Sequence, residues 1–547
     1  MKTNKFRDAN FERIEESDGK HAILRDVHHG VGAEICFFKS TMKEQNGKIR
    51  LNVLSSIDVD KKISNDSIGT LIHGIENGIP VTIWLPREPE YYIFDLYGRA
   101  RRCENKQLHN HGRVDSNTYL SVPASPEKNA SLVFPYVKFT DSEGSFFNEL
   151  SELSETEQYL FKRSEWFLAS SVASIWNYLI HGSVYDPRES ETTRSRFKCQ
   201  QCAYAWWKYL HNLYHKTQKN MYALLRDEIA YSILLDMEND GGWRHGYWSD
   251  NMETHARFHL DGIELFIAQH ELTSDRLWLD GCRRGMDFVI EKLTDRLDDG
   301  LIWFLHDTIE EKKNHRVVSA IFGKDPKNSL CINTHVHALR VLYRLQEYFP
   351  GDRSYQDSYS KGMQALHRVL SHQPADNLYR LFSIWILNSR VSVFDSRVLR
   401  RLQTYAVRWF NRPVYWKIMR KYPRLVHPNG FIERDLSITY ASDRYHITNM
   451  KELLKLYELE RAGWLRGYIV NGFEFLKRYI AKKGMKNVIR SSPYYIETID
   501  IVVMYSRLIE ELPQEYIESV RNEIYAVTGA YSIEEGETGK VEHTLVT

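Results

Sequence analysis

Up to about residue 140 the apolar positions come in short runs separated by turn-forming clusters. The runs are AEICFFK (33–39), KIRLNVLSS (48–56), IPVTIWLP (79–86), YYIFDLYG (91–98), TYLSVP (118–123) and SLVFPYVKF (131–139). Stretches of that length, rich in Val, Ile, Phe and Tyr and bounded by Gly and Pro, predict strands. An antiparallel β-sandwich is the expected arrangement for residues 1–145.

From about residue 145 the period changes. FFNELSELSETEQYLFKRSEWFLASSVASIWNYLIHG carries apolar residues three and four apart over many turns, the pattern of an amphipathic helix. Most of the remaining chain behaves alike and falls into helix pairs at 200–235, 255–294, 333–371, 376–410, 446–482 and 495–527. Hairpins spaced by about 40 residues form a degenerate repeat, each pair burying one face only against its neighbours. Several pairs are followed by a loop with glycine beside an aromatic: NDGGWRHGYW (239–248), DDGLIWF (298–304) and HPNGFIERD (427–435). Loops of one kind at one end of every hairpin would converge around a central opening if the array closes.

The hairpin period with its DGGW, DGLIWF and PNGF loops resembles the (α/α) toroid enzymes. The likeness is greatest to carbohydrate-active members such as uronyl hydrolases, polysaccharide lyases and the helical domain of glucuronyl C5-epimerases. It covers about residues 150–530 and is architectural. It implies an α+β protein, an N-terminal antiparallel β-sandwich (1–145) followed by a large (α/α) toroid of helical hairpins (146–530) and a polar tail (531–547). The β part precedes the helices here, as it does in the epimerases.

Composition sharpens this picture at three points. Lys+Arg 73 against Asp+Glu 72 leaves a net charge of +1, which excludes a global pull toward nucleic acid or membrane. With 29 Gly and 15 Pro in 547 residues, long helices are favoured over a turn-rich all-β chain. Six cysteines are too few for a disulfide framework, charges run through the first twenty residues, and no run approaches the roughly 20 apolar residues of a spanning helix. The expectation is a soluble cytoplasmic protein. There is no G-x-x-x-x-G-K-[ST], no G-x-G-x-x-G after a strand and no G-x-S-x-G, so neither a nucleotide cofactor nor a serine nucleophile is expected.

The densest candidate chemistry lies in GGWRHGYWSDNMETHARFHLDGIE (241–264). Trp243, Arg244 and Trp248 are the expected substrate-binding side chains, and His245, Tyr247, His255, His259 and Asp261 the expected catalytic ones, with Glu253 close by. Aromatic faces stack on sugar C–H surfaces, while His, Tyr and carboxylates move protons at hydrogen-bond reach. His255 and His259 also stand one helical turn apart, the spacing of two metal ligands, and a divalent ion there is the lesser alternative to no cofactor at all. Cys199 and Cys202 form a single CxxC, read as two ordinary buried cysteines because structural zinc needs more ligands than one such pair.

Further along, Trp303 joins the binding set, and CINTHVHALRVL (331–342) offers His335 and His337 at a helix start. NGFIERDLSITYASDRYHITNM (429–450) adds Glu433, Arg434, Tyr440, Arg444, Tyr445 and His446. Arg beside Tyr and His suits a uronic acid. The guanidinium pairs with the carboxylate and makes the C5 proton more acidic, and Tyr or His removes or returns it. Glu433 or Asp435 with Asp261 or Glu253 would instead suit a hydrolase. From Arg390 to Arg424, ten basic residues stand against one acidic residue, Asp395, interleaved with aromatics. That stretch could guide an anionic polysaccharide or lie on an anionic surface. The function expected is a lyase or epimerase acting on an acidic glycan. The alternatives are a glycoside hydrolase and a non-catalytic helical scaffold binding an anionic glycan, a membrane surface or a protein.

Overall fold

The computed structural model describes residues 2–18, 21–40, 47–50, 56–103, 119–122, 127, 129–141, 144–163, 170–308, 319–381, 421–437, 443–491 and 493–528, with scattered positions between 396 and 420. The chain forms two compact units, Met1–Thr254 with Glu264–Gly281, and His255–Ile263 with Cys282–Thr547.

The first unit opens with strands β1 (Lys2–Arg7), β2 (Phe11–Ser17), β3 (His21–His28), β4 (Ala33–Ser40), β5 (Gly47–Arg50), β6 (Ile57–Asn65), β7 (Gly69–Glu76), β8 (Ile79–Leu85), β9 (Glu90–Phe94), β10 (Ala100–Arg102), β11 (Tyr119–Val122) and β12 (Ser131–Thr140). Each of the six runs picked out by the sequence contains a strand; β9 ends at Phe94, and residues 51–55 of the run 48–56 lie outside the described residues. β1, β2, β3, β6, β7 and β10 were not legible; in β2 and β6, FERIEES and IDVDKKISN alternate charge with apolar residues or carry charge throughout. The expected sandwich is instead one antiparallel sheet in the order β1-β2-β3-β4-β12-β8-β7-β6, with β9 on β12 and β10 on β9, beside a separate β5/β11 ladder. The reason is β12. Its residues 131–133 pair with β9 and 137–140 with β8, while its other edge takes β4 along almost its whole length. Strands that would have faced each other in two layers therefore share one central strand.

One face of this sheet holds a core of Phe38, Ile83, Leu132 and Phe134, and the other packs Tyr92 and Val133 on Ile180 and Tyr185. The helices that follow are α1 (Ser145–Ser151), α2 (Glu155–Arg163), α3 (Gln200–Thr217) and α4 (Asn220–Leu235). The long helix expected through residue 182 breaks up, and 172–184 forms a 3-10 turn and a two-residue ladder, Leu179–Ile180 with Ser183–Val184. Sheet and helix are tied by a buried charge cluster. Arg13 on β2 donates to both carboxylate oxygens of Asp26 at 2.7 and 2.6 Å, and Glu228 on α4 meets His28 at 3.0 Å.

Next come α5 (Ala256–Thr273), α6 (Arg276–Lys292), α7 (Ile332–Tyr348), α8 (Arg353–Ser371), α9 (Asp443–Glu460), α10 (Gly463–Lys483), α11 (Met485–Ser491), α12 (Thr498–Leu508) and α13 (Gln514–Thr528). They reproduce the hairpins expected at 255–294, 333–371, 446–482 and 495–527, as α3/α4 does that at 200–235; most of the sixth, 376–410, lies outside the described residues, as does the tail 531–547. Among the described residues no helix is long and apolar enough to cross a membrane.

The glycine loops share one backbone. Glu238, Leu297 and His427 each accept from the N–H three residues on (Gly241, Gly300 and Gly430; 2.9, 2.9 and 3.0 Å). Each donates to the carbonyl four residues on, at 2.9, 2.9 and 2.8 Å. The glycine sits at φ 84, 78 and 89°, a left-handed position that a Cβ would strain, which makes it the fixed letter of these loops.

A second repeated device joins the hairpins of the second unit. His259, His335 and His446 on α5, α7 and α9 each reach the carbonyl of a glycine on the following helix: Gly285 at 2.9 Å, Gly362 at 3.0 Å and Gly472 at 3.1 Å. The glycine gives the ring room. A Cβ at Gly472 would lie 2.3 Å from Met450 Sδ and 3.5 Å from His446 Cε1, whereas one at Gly467, on the same helix, would meet nothing within 4 Å. Opposite signs follow for two identical changes. Gly467→Ala should raise stability by up to about 1 kcal/mol through helix propensity. Gly472→Ala should lower it by about 1–3 kcal/mol through overpacking. Denaturant midpoints of the two variants check this.

Candidate active site

The histidines that anchor the hairpins also fix the loops. Phe304 N–H donates to Nδ1 of His335 at 3.0 Å and Ile432 N–H to Nδ1 of His446 at 3.1 Å, so in both rings Nε2 carries the proton that the glycine carbonyl accepts. Two positions beyond each of these loop residues stand His306 and Arg434, each followed by an aspartate, Asp307 and Asp435. Their carbonyls accept the N–H that opens the first helix of the preceding hairpin: Ala256 to His306 at 2.9 Å and Ile332 to Arg434 at 3.0 Å. The repeat thus delivers His306 and Arg434 to corresponding places at the starts of neighbouring hairpins.

Around these two lies a network of buried polar side chains within the second unit. Arg434 Nη2 donates to His306 Nε2 at 2.8 Å, which leaves the proton of His306 on Nδ1, directed at Thr334 Oγ1 at 3.1 Å. The guanidinium also lies over the Tyr445 ring at 4.5 Å. His255 stands edge-on to His306 with centroids 4.3 Å apart. Burial pushes His255 down to about 3, and the charges of Arg434 and Arg257 add to the effect, so the ring is neutral at ordinary pH. His337 Nε2 is 3.9 Å from Asp261 Oδ1. Glu452 on α9 holds two further guanidiniums, Arg257 at 3.1 Å and Arg340 at 2.6 Å, and these hold its carboxyl far below the usual range against the opposing effect of burial. Arg434, Arg257, Arg340 and Asp261 keep 12–18% of their side-chain surface open to solvent, so the network is reachable.

Of the residues expected from the sequence, His255, Asp261, Arg434 and Tyr445 belong to this network. Glu433 and Asp435 lie on its loop, both buried, with Asp435 accepting from Ser437 N–H at 2.7 Å. His259, His335 and His446 are placed differently. They are 0–1% exposed and bound to backbone groups on the far side of their helices, and Trp303 stacks on His335 at 3.8 Å and is itself fully buried. Proton transfer to a substrate and sugar stacking are closed to side chains so placed, which corrects those four expectations and leaves them a packing role.

In the first unit the 241–254 segment forms its own structure. Trp243 is buried and donates to Ile233 O at 3.0 Å, so it anchors the loop and is not a stacking platform. Arg244 stays on its turn with Asp240, and His245, fully buried, pairs with Gln200 at 2.7 Å. Glu253 accepts from Trp248 N–H and Ser249 Oγ, a loop-shaping carboxylate. Tyr247 lies 4.7 Å from Phe197, and Trp248 is 41% exposed. Tyr440 and the side chain of Arg444 lie outside the described residues, as do five of the ten basic positions between 390 and 424; of the others, Arg401, Lys417, Arg420 and Lys421 are exposed. Arg424, at the end of that stretch, is 1% exposed and donates to Val426 O, Pro374 O and Asp376, a buried brace and not part of a charged face.

His306, Arg257, Arg340 and Glu452 were not anticipated. A usable signal existed: H-x-x-x-[ILM] followed by glycine occurs at His259/Ile263/Gly285, His335/Leu339/Gly362 and His446/Met450/Gly472. Aligning on it puts Arg257, Asn333 and Arg444 at one repeat position and Asp261, His337 and Thr448 at another.

No protein-family model matches the chain, and no curated protein matches it in sequence. The chain is similar to the solved structure of a family 76 glycoside hydrolase from a bovine Bacteroides thetaiotaomicron strain, with 11% identity over 86% of this chain and 90% of that one and a TM-score of 0.39. It is also similar to cellobiose 2-epimerase from Bacillus thermoamylovorans (13% identity, 61% and 86% covered, TM-score 0.28) and to a polysaccharide lyase (10%, 98% and 82%, TM-score 0.26).

Proposed function

We propose that the helical hairpins form an (α/α) toroid and that the protein is a carbohydrate-active enzyme. It moves a proton at carbon in a uronic-acid-containing glycan, as a lyase or a C5-epimerase. The observation that carries this reading is Arg434 bound to a neutral His306, over Tyr445, with a second neutral imidazole, His255, against His306. A carboxylate meeting Arg434 has its charge neutralised, which makes the adjacent C–H more acidic. His255 is the proposed base, and Tyr445 the proposed donor on return of the proton or departure of the leaving group. Arg257 and Arg340, held by Glu452, are the proposed anion-binding rim.

Incubation with a panel of uronic-acid polysaccharides in heavy water tests this. Ultraviolet absorbance of a new unsaturated uronate marks elimination, and deuterium at C5 without chain cleavage marks epimerisation. New reducing ends without either would replace the reading with hydrolysis.

A further inference from the structure

Outside this network, the first unit gathers two thiols and a carboxylate. Asp186 and Cys199 are 6% and 1% exposed and Cys202 is half-buried. Taking one ligand atom from each, all three lie within 4.8 Å of one another. The backbone holds them there. Asp186 N–H donates to Phe197 O at 3.0 Å and Cys199 N–H to Val184 O at 2.8 Å, so the loop between the ligands is closed at its base. Cys199 caps α3, its Sγ accepting from Cys202 N–H at 3.5 Å, which sets both sulfurs at the positive end of an 18-residue helix. Arg188 grips the carboxylate through Nε at 2.9 Å and Nη2 at 2.8 Å, yet its side chain is 75% exposed. That is the position of an outer-shell group that orients a ligand.

We propose that Asp186, Cys199 and Cys202 bind a zinc-class divalent ion, with water in the fourth tetrahedral position. Binding replaces two thiol protons by the metal. Two thiolates, one carboxylate, the divalent ion and the Arg188 guanidinium then sum to zero charge, so the pocket holds no net charge. Zn–S bonds of about 2.3 Å set the two sulfurs about 3.8 Å apart, inside the 4.8 Å within which the ligand atoms lie. The consequence is local: the ion would lock the loop 187–196, whose Ser190 Oγ donates to Tyr247 O at 2.6 Å, and so steady the segment that carries the exposed Trp248. The sequence shows only one CxxC, because Asp186 lies thirteen positions earlier on the far strand of this loop.

Titration of the metal-stripped, reduced full chain with cobalt(II) as probe decides the matter. One equivalent should produce a thiolate-to-cobalt charge-transfer band with tetrahedral d–d bands, and zinc should displace it. Cys202→Ser should abolish the charge-transfer band or weaken affinity at least about 100-fold, and Asp186→Asn should weaken it about 10–100-fold. As a check that needs no variant, zinc should protect Cys202 from alkylation in the wild-type chain. No band, an unchanged cobalt affinity in Cys202→Ser, or alkylation indifferent to zinc would each overturn the site. None of these readouts depends on turnover.

Discussion

Glu452→Gln should lower the stability of the second unit by about 3–5 kcal/mol, the cost of removing one partner from a buried ion cluster. Glu452 is 5% exposed and is the shared partner of Arg257 and Arg340, which contact its two oxygens separately. Gln keeps the shape but leaves two largely buried guanidiniums facing a neutral amide. The linkage has a definite sign. The folded-state pKa of Glu452 is depressed, so its contribution is present above the unfolded carboxylate value near 4.5 and is lost as pH falls below it. Wild type and Glu452→Gln should therefore converge in stability at acid pH. Replacing all three members by apolar residues of similar volume should restore most of the stability, because such clusters contribute little net energy over well-packed hydrophobes. It should not restore turnover if the arginines hold substrate. Hydrogen exchange reports the stability of the second unit separately from the first, and equal protection in wild type and Glu452→Gln at pH 7 would sink the prediction.

The contrast between that cluster and the histidines explains how far the sequence could be read. The hairpins were legible because their helices carry a wide apolar stripe with a period that no strand shares. The loops were legible because Gly241, Gly300 and Gly430 need a left-handed φ, a requirement that only a few residues meet. The active face was not. On α5, Arg257, His259 and Asp261 alternate, and two positions along a helix turn the side chain about 200° around the axis. Sequence order cannot tell which of the two faces meets the next helix. His259, His335 and His446 drew attention as chemistry, yet they are the residues turned to the neighbouring helix, and Arg257 is turned away from it. Glu452 and Arg257 are 195 positions apart, a pairing that no local pattern encodes. The sheet failed for a related reason, since a strand such as β6, polar on nearly all its surface, has no apolar rhythm to betray it.

The acid limbs of the two rate constants should separate, with kcat falling at a higher pH than kcat/KM. kcat/KM reports the free enzyme and kcat the complex. In the free enzyme His255 is held down to about 3 by burial, then by Arg434, then by Arg257, so kcat/KM should show no acid limb until the fold itself fails. An imidazole so depressed is a weak base. A bound carboxylate beside Arg434 cancels the second of those effects and moves His255 up toward its ordinary value, strengthening the base only when substrate is present. The same step gives kcat its acid limb. Arg434→Met separates the two roles of the guanidinium. Loss of its charge should raise His255 in the free enzyme and bring an acid limb into kcat/KM, while loss of carboxylate neutralisation should cut kcat about 10²–10³-fold. His255→Gln should remove the limb from both constants along with most of the turnover. Coincident limbs in the wild type, or an Arg434→Met profile that loses rate without moving, would leave His255 as a bystander and shift the search for the base to the His337–Asp261 pair.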